Sequence, residues 1–204
     1  MTDEAGMAAA EISGGALNQI FLEARSHNRW LDKPVPDDLL HRLVAIARMG
    51  PTASNSQPAR YIFVKTPQAK KRMEPFLDEG NKVKTMSAPV CAIIGYDLIF
   101  YENLPRFFPH RPKARNAFIG KEERARTVAF RNGSLQGAYL ILAARALGLD
   151  TGPMSGFDSA GVDQEFFPNG QIKSNFLCAL GYGDASVLLP RLPRPSFDEI
   201  AQII

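Results

Sequence analysis

The sequence predicts an α+β protein. Strand-like apolar runs and helical patterns alternate along the chain without a regular βαβ repeat, which disfavours a doubly wound sheet. One unbroken apolar run with β-branched residues, from Pro89 to Tyr96, has the character of a central strand. The stretch Leu135 to Leu147 is apolar almost all round, more burial than one small domain readily offers, and points to the core of a dimer.

From the N-terminus, MTDEAGMAAAEISGG lacks a basic leader and reads as a flexible lead-in over 1–14. Leu17, Ile20, Phe21 and Ala24 keep the i, i+3, i+4, i+7 spacing, so 16–25 reads as an amphipathic helix. A second helix covers 37–49: Pro36 stands at its start, Asp37 and Asp38 favour the positive end of the helix dipole, and Gly50-Pro51 stops it. Tyr61–Val64 is a short strand. Thr66 caps a helix that opens on Pro67 and that Pro75 bends or ends. After the strand at 89–96, the basic, proline-rich segment 98–120 reads as a long irregular loop, a length that in compact domains usually serves function. Residues 121–147 turn helical again, with Gly148 as C-cap. TGPMSGFD (151–158) reads as a glycine-rich loop, followed by a short helix capped by Asp158 or Ser159 and a strand at 175–182. Ser196 and Glu199 form a capping box that opens a last helix. Without repeats or linkers, 1–204 reads as one domain.

The 204 residues suffice for a sizeable core. A hydrophobic fraction of 45%, a charged fraction of 22% and a net charge of +3 belong to an ordinary soluble protein and argue against a polyanion as ligand. The basic residues bunch at 25–29, 106–126 and 191–194, which points to small anions. Cys91 and Cys178 sit in apolar runs as buried thiols. The histidines His27, His41 and His110 have no metal-ligand spacing, and no apolar run is long enough to span a membrane. The cytoplasm is the default location.

No G-x-S-x-G, H-E-x-x-H or P-loop lysine is present, and GYGDAS at 181–186 lacks the third glycine and following helix of a dinucleotide fingerprint. No side chain offers itself as acid, base or nucleophile, so the chemistry falls to a bound cofactor. Within MGPTASNSQPAR (49–60) the connection spends about ten residues where two to six suffice, and fills them with hydroxyls and amides that can hold a polyol or the heteroatom edge of a ring. The arginines of Arg25-Ser26-His27-Asn28-Arg29 and of the tail, Arg191 and Arg194, match a phosphate. Pro153-Met154-Ser155-Gly156 brings backbone N–H groups close to a flat ring. Phosphate, polyol and ring together describe FMN.

The sequence resembles the FMN-dependent nitroreductase family along nearly its whole length. The resemblance rests on RSHNRWLDKPVP, GPTASNSQPARYIFV, GNKVK, GPMSGFD and the arginine-containing tail, and within the family it is closest in style to the malonic semialdehyde reductases of pyrimidine degradation, including DLIFYENLPRFFP. It implies a three-layer fold with a central mixed, mostly antiparallel sheet flanked by helices, and an obligate homodimer with FMN at the interface. It places Arg25, Ser26, His27 and Arg29 at the phosphate, with histidine where the family usually has serine. Pro51, Thr52, Ser54, Asn55 and Gln57 reach the flavin from the partner subunit. Asn81 and Lys84 contact the ribityl chain and ring, Pro153, Met154, Ser155 and Gly156 lie along the N5–O4 edge, and Arg191 and Arg194 complete the phosphate site. Hydride passes from NADH or NADPH to flavin N5 and on to a small electron-poor substrate, with no protein side chain catalytic. For malonic semialdehyde, the substrate carboxylate finds Arg106, His110, Arg111 and Lys113, on a loop able to close as a lid.

Three other readings stand beside this one. The first is a general NAD(P)H nitroreductase or quinone reductase, and the second a flavin-binding module without turnover. The third is a nucleic-acid binder that uses the basic 106–126 region with its interleaved Phe107, Phe108, Phe118 and Phe130.

Overall fold

The structure, a computed structural model, describes residues 10–204. Most of the expected lead-in therefore lies outside the described residues. Ser13 Oγ accepts from the Ala16 N–H and opens α1 (Gly14–Leu17). The helix expected over 16–25 does not continue in α geometry: it widens into a π turn at Asn18–Leu22. There the chain is tied to the end of a long distant helix, Gln19 Nε2 donating to Arg145 O at 2.7 Å and Arg145 Nη1 to Ile20 O at 3.0 Å.

Helix α2 (Asp37–Ala47) buries Leu40, Leu43 and Ala47 and leads through the 51–57 loop into β1 (Ala59–Val64). Thr66 Oγ1 caps α3 (Pro67–Met73), and the following turn, Glu74–Phe76, is 3₁₀ with Pro75 inside it, so the proline does end the helix. GNKVK, which carried no helical expectation, lies in α4 (Glu79–Ser87). That helix fully buries only Thr85, and an apolar stripe this thin leaves little periodic signal. β2 (Val90–Asp97) is buried at every position. The segment after it is less irregular than expected, holding a 3₁₀ turn (Phe100–Asn103), α5 (Leu104–Phe107) and a second 3₁₀ turn (Pro112–Ala117). Phe100 and Leu104 anchor it on Tyr96, Ala125 and Ala129.

Helix α6 (Glu122–Ala146) is followed by β3 (Asp150–Met154). Here the loop expected at 151–158 is corrected, since its first half is an edge strand. A proline is admitted in it because one side of an edge strand needs no N–H donor. Asp158 caps α7 (Ser159–Phe166), β4 runs Ile172–Gly181, and the capping box opens α8 (Phe197–Ile200).

The sheet order is β1-β2-β4-β3, with all three pairings antiparallel; among the described residues the parallel contact is the isolated bridge Ser26–Thr151. Period-two alternation sorts the central strands into two cores. Val90, Ala92, Ile94, Cys178 and Leu180 face α2 and α6, while Cys91, Ile93, Leu177 and Ala179 face α3 and α7. The result is three layers, helices on either side of one sheet. It also separates the two thiols: both cysteines are buried and free, on opposite faces. Helix α6 approaches closely because Gly137 has no side chain; a Cβ there would lie 2.6 Å from the Phe176 ring.

Candidate cofactor site

The 51–57 loop is held in a costly conformation. Ser54, Asn55 and Gln57 have φ of 52°, 48° and 45°, each costing an L-residue on the order of 1 kcal/mol. Hydrogen bonds hold it there. Thr52 Oγ1 accepts from Gln57 N at 3.2 Å, Asn55 Nδ2 donates to Phe107 O at 2.9 Å, and Gln57 Nε2 donates to Asn55 Oδ1 at 2.8 Å. Two buried amides one turn apart on α6 fasten the loop to the fold. Asn132 Oδ1 accepts from Ala53 N at 2.8 Å, and Gln136 bridges Gln57 Oε1 and Ala59 N. Pro51, Asn55 and Gln57 line an open groove of about 850 Å³ shared with Arg48, Arg60 and Arg106. Arg60 is neutralised by Asp97 at 2.5 Å.

A second feature joins the two ends of the chain. Arg25 Nη2 donates to Leu189 O at 2.6 Å, and Arg191 Nη2 donates back to Leu22 O and Ala24 O at 2.6 and 3.0 Å. This reciprocal clasp encloses a cleft of about 320 Å³ lined by Arg25, Ser26, Asn28, Arg145, Arg191 and Arg194 among others, with no carboxylate among the described residues of its wall. Arg145 Nε is buried without a hydrogen-bond partner, and burial holds its guanidinium pKa below the ordinary value. Among the described residues, most of the five N–H donors on each guanidinium are without a partner.

His27 and Arg29, expected here, are not on the cleft. His27 is buried, its Nε2 3.4 Å from Asp150 Oδ1 and its ring against Gly183, so it supports the clasp from beneath. Its main-chain N–H donates to Thr151 O at 3.0 Å, and the neighbouring Ser26 bridges Thr151, which leaves Ser26 on the cleft and turns His27 inward. Arg29 is exposed, Nη1 donating to Asn28 O at 3.4 Å.

The third group gathers at the end of β3. Asn81 Nδ2 donates to Gly156 O at 2.7 Å, and buried Met154 receives the Thr85 hydroxyl at 3.3 Å. Ser155 is exposed beside them, and Pro153 is half-buried in the edge strand opposite Cys178. The Lys84 carbonyl accepts from Trp30 Nε1 at 2.9 Å, and burial lowers the pKa of the Lys84 ammonium.

The four cations expected to hold a substrate do not stand together. Arg106 opens onto the groove with Asn55 and Gln57. Arg111 and Lys113 line a separate cleft with Ser54 and Arg124. His110 is exposed, packed on the Phe108 ring with centroids 4.1 Å apart.

A family model described as "Nitroreductase family" matches residues 22–183. The chain belongs to the nitroreductase family. A relative from Burkholderia lata with the name "Putative NADH dehydrogenase/NAD(P)H nitroreductase" is 60% identical over 192 residues, 94% of this chain and 98% of its own. Among solved structures, a "putative nitroreductase" from Bacillus subtilis superposes with a TM-score of 0.84 at 22% identity, covering 93% of this chain and 99% of that one. Another from Exiguobacterium sibiricum, solved in complex with FMN, gives 0.81 at 18% identity and covers 96% and 100%. Within this nitroreductase, sequence reasoning missed Asn28, Trp30, Asn132, Gln136 and Arg145. The amides carried a readable signal: two polar residues at i, i+4 on the buried face of a helix demand polar partners.

Proposed function

We propose that the protein is an NAD(P)H-dependent flavin oxidoreductase, a single domain over 1–204 that works as a homodimer in the cytoplasm and holds FMN where two chains meet. The observation that carries this is the cleft of four guanidiniums without a carboxylate, a charge arrangement suited to a terminal phosphate dianion. From Thr151, beside Ser26, the edge strand runs to Met154 and Ser155, so one chain offers a phosphate end and a ring end along a single track.

The sheet order supports the homodimer reading. The 51–57 loop enters β1 and the 153–156 turn leaves β3, which are opposite edges of the sheet. Three strand spacings, about 14 Å, separate them. Loop and turn thus stand on opposite edges of one chain, and the loop of a second copy can meet the turn of the first. Helix α6 supports this, because Phe130, Leu135 and Tyr139, on a helix expected to be buried on most sides, are 50%, 47% and 39% exposed in the single chain.

When bound, FMN supplies hydride acceptance and donation at N5. This chain's own residues bind and orient. Arg25, Arg191 and Arg194 take the phosphate, Asn81 and Lys84 the polyol and ring edge, and the partner's copy of the loop supplies Pro51, Thr52, Ser54, Asn55 and Gln57. An ammonium that burial already disfavours gains most from a neighbouring anion, which suits Lys84 to a reduced ring. For the substrate we favour malonic semialdehyde, reduced to 3-hydroxypropanoate, with Arg106 holding its carboxylate in the groove.

The test is the visible spectrum of purified protein, followed by anaerobic addition of each nicotinamide. A yellow dimer bleached by NADH or NADPH is expected. A colourless monomer that stays so after reconstitution would refute the reading. Arg106→Gln should raise KM for the aldehyde acid about tenfold, as loss of a charge-assisted hydrogen bond does, and leave a neutral nitroarene nearly unaffected. Equal effects on both would remove Arg106 from that role.

A further inference from the structure

Two cavities flank the Ser54–Asn55 peptide. Asn55 and Phe107 face the 850 Å³ groove, while their neighbours Ser54 and Phe108 face a second cleft of about 670 Å³. The wall between them is pinned by the Asn55 Nδ2 bond to Phe107 O. The second cleft carries Arg111, Lys113 and Arg124 and has no carboxylate among the described residues of its lining. Nearby cations are compensated, Arg115 by Glu102 at 3.1 Å and Arg126 by Glu123 at 4.0 Å. Among the described residues the side chains of Arg111, Lys113 and Arg124 make no ion pair or hydrogen bond; Arg124 lies over the Phe118 ring at 5.5 Å. Phe108, Pro112, Ala114 and Ala117 give the same cleft an apolar wall.

Three uncompensated cations in one concavity focus positive potential and favour an anion of high charge density. A small monocarboxylate needs one of them, and each phosphate of a diphosphate bridge carries a single charge. A phosphate monoester carries nearly two charges and three accessible oxygens, and two guanidinium forks with an ammonium match that. The apolar wall suits a purine attached to it.

We propose that this cleft binds the adenosine 2′-phosphate end of NADPH, and that the dinucleotide crosses the Ser54–Asn55 ridge to place its nicotinamide in the groove. This rests on the reading of NAD(P)H as electron donor, and it makes the protein selective for NADPH over NADH.

The experiment titrates the FMN-loaded protein calorimetrically with 2′-AMP, 5′-AMP and inorganic phosphate, and measures kcat/KM for both nicotinamides. The expected result is that 2′-AMP binds at least about tenfold tighter than either other probe, competes with NADPH and weakens with salt. In Arg124→Gln the NADPH-to-NADH ratio of kcat/KM falls about tenfold, the loss of one charge-assisted contact, and in Arg111→Gln/Lys113→Gln, which removes two, it falls further. Equal affinity for 2′-AMP and 5′-AMP, phosphate alone binding as tightly as 2′-AMP, or an unchanged ratio overturns the proposal; the first two need no variant to fold. A flavin bleached by NADH in a protein that ignores 2′-AMP sinks the cleft alone. A flavin that neither nicotinamide bleaches sinks the donor reading, and this proposal with it.

Discussion

Gln136 Nε2 donates to Gln57 Oε1 at 2.6 Å while Gln136 Oε1 accepts from the Ala59 N–H at 2.8 Å. One buried amide thus closes the left-handed end of the loop and starts β1, and Asn132, four residues earlier on the helix, holds the front of the loop through the Ala53 N–H.

Gln136→Ala leaves the Ala59 N–H and the Gln57 Oε1 without partners. Its expected cost is about 1–3 kcal/mol in urea unfolding. FMN affinity should fall as well, because the loop loses its preset shape. Fluorescence titration of FMN checks the second effect. A variant as stable as the parent, with the parent's affinity, would show that the amide holds nothing.

Arg191 both clasps the N-terminal carbonyls and lines the cleft. Arg191→Ala should weaken FMN binding about tenfold or more, as loss of a charge-assisted contact does. Riboflavin, which has no phosphate, should lose much less. Equal losses for the two ligands would mean that Arg191 only closes the chain ends and does not meet the phosphate.

Gly183 lets the His27 ring pass. A Cβ there would lie 2.0 Å from Nδ1 and 2.2 Å from Cγ, inside any permitted contact. Gly183→Ala is therefore expected to destabilise the fold by about 1–3 kcal/mol. His27→Ala in the same chain should return part of that loss, since removing the ring makes room. An unshifted Tm in the single variant, or strict additivity in the double, contradicts this packing.

Burial pushes the Cys91 thiol up and the Cys178 thiol up to about 12, and it raises the Tyr61 phenol to about 12. In the unfolded chain these groups lose their protons from about pH 8.5 for thiols and about pH 10 for the phenol. Between those values and the folded ones the unfolded state binds fewer protons, so stability falls as pH rises. The urea midpoint should be flat from pH 7 to 8 and drop by pH 10. A thiol reagent at pH 8 should label neither cysteine until denaturant is added. Fast labelling of the native protein would contradict their burial.

Much of the fold was legible because it is written locally. Thr66-Pro67, Asp158 and the Ser196–Glu199 box fall where capping chemistry places them, and the apolar run before Tyr96 is the buried β2. Helix α4 escaped because a helix that fully buries one residue carries almost no periodicity. The strand in TGPMSGFD escaped because glycine and proline signal a turn unless the segment is known to lie at a sheet edge, which is a property of the neighbouring strands.

The site divides in the same way. By itself the sequence determined the chemistry on offer, clustered guanidiniums and a loop of hydroxyls and amides, since residue types and their local spacing suffice for that. Tertiary structure decided the grouping. It turned His27 inward onto Asp150, brought Arg145 across from α6 to Arg25 and Arg191, and sent Arg106 and Arg111 into different cavities. Side chains a few residues apart point where helix phase, strand pleat and the packing of distant elements send them, and those directions are set only when the layers close over one another.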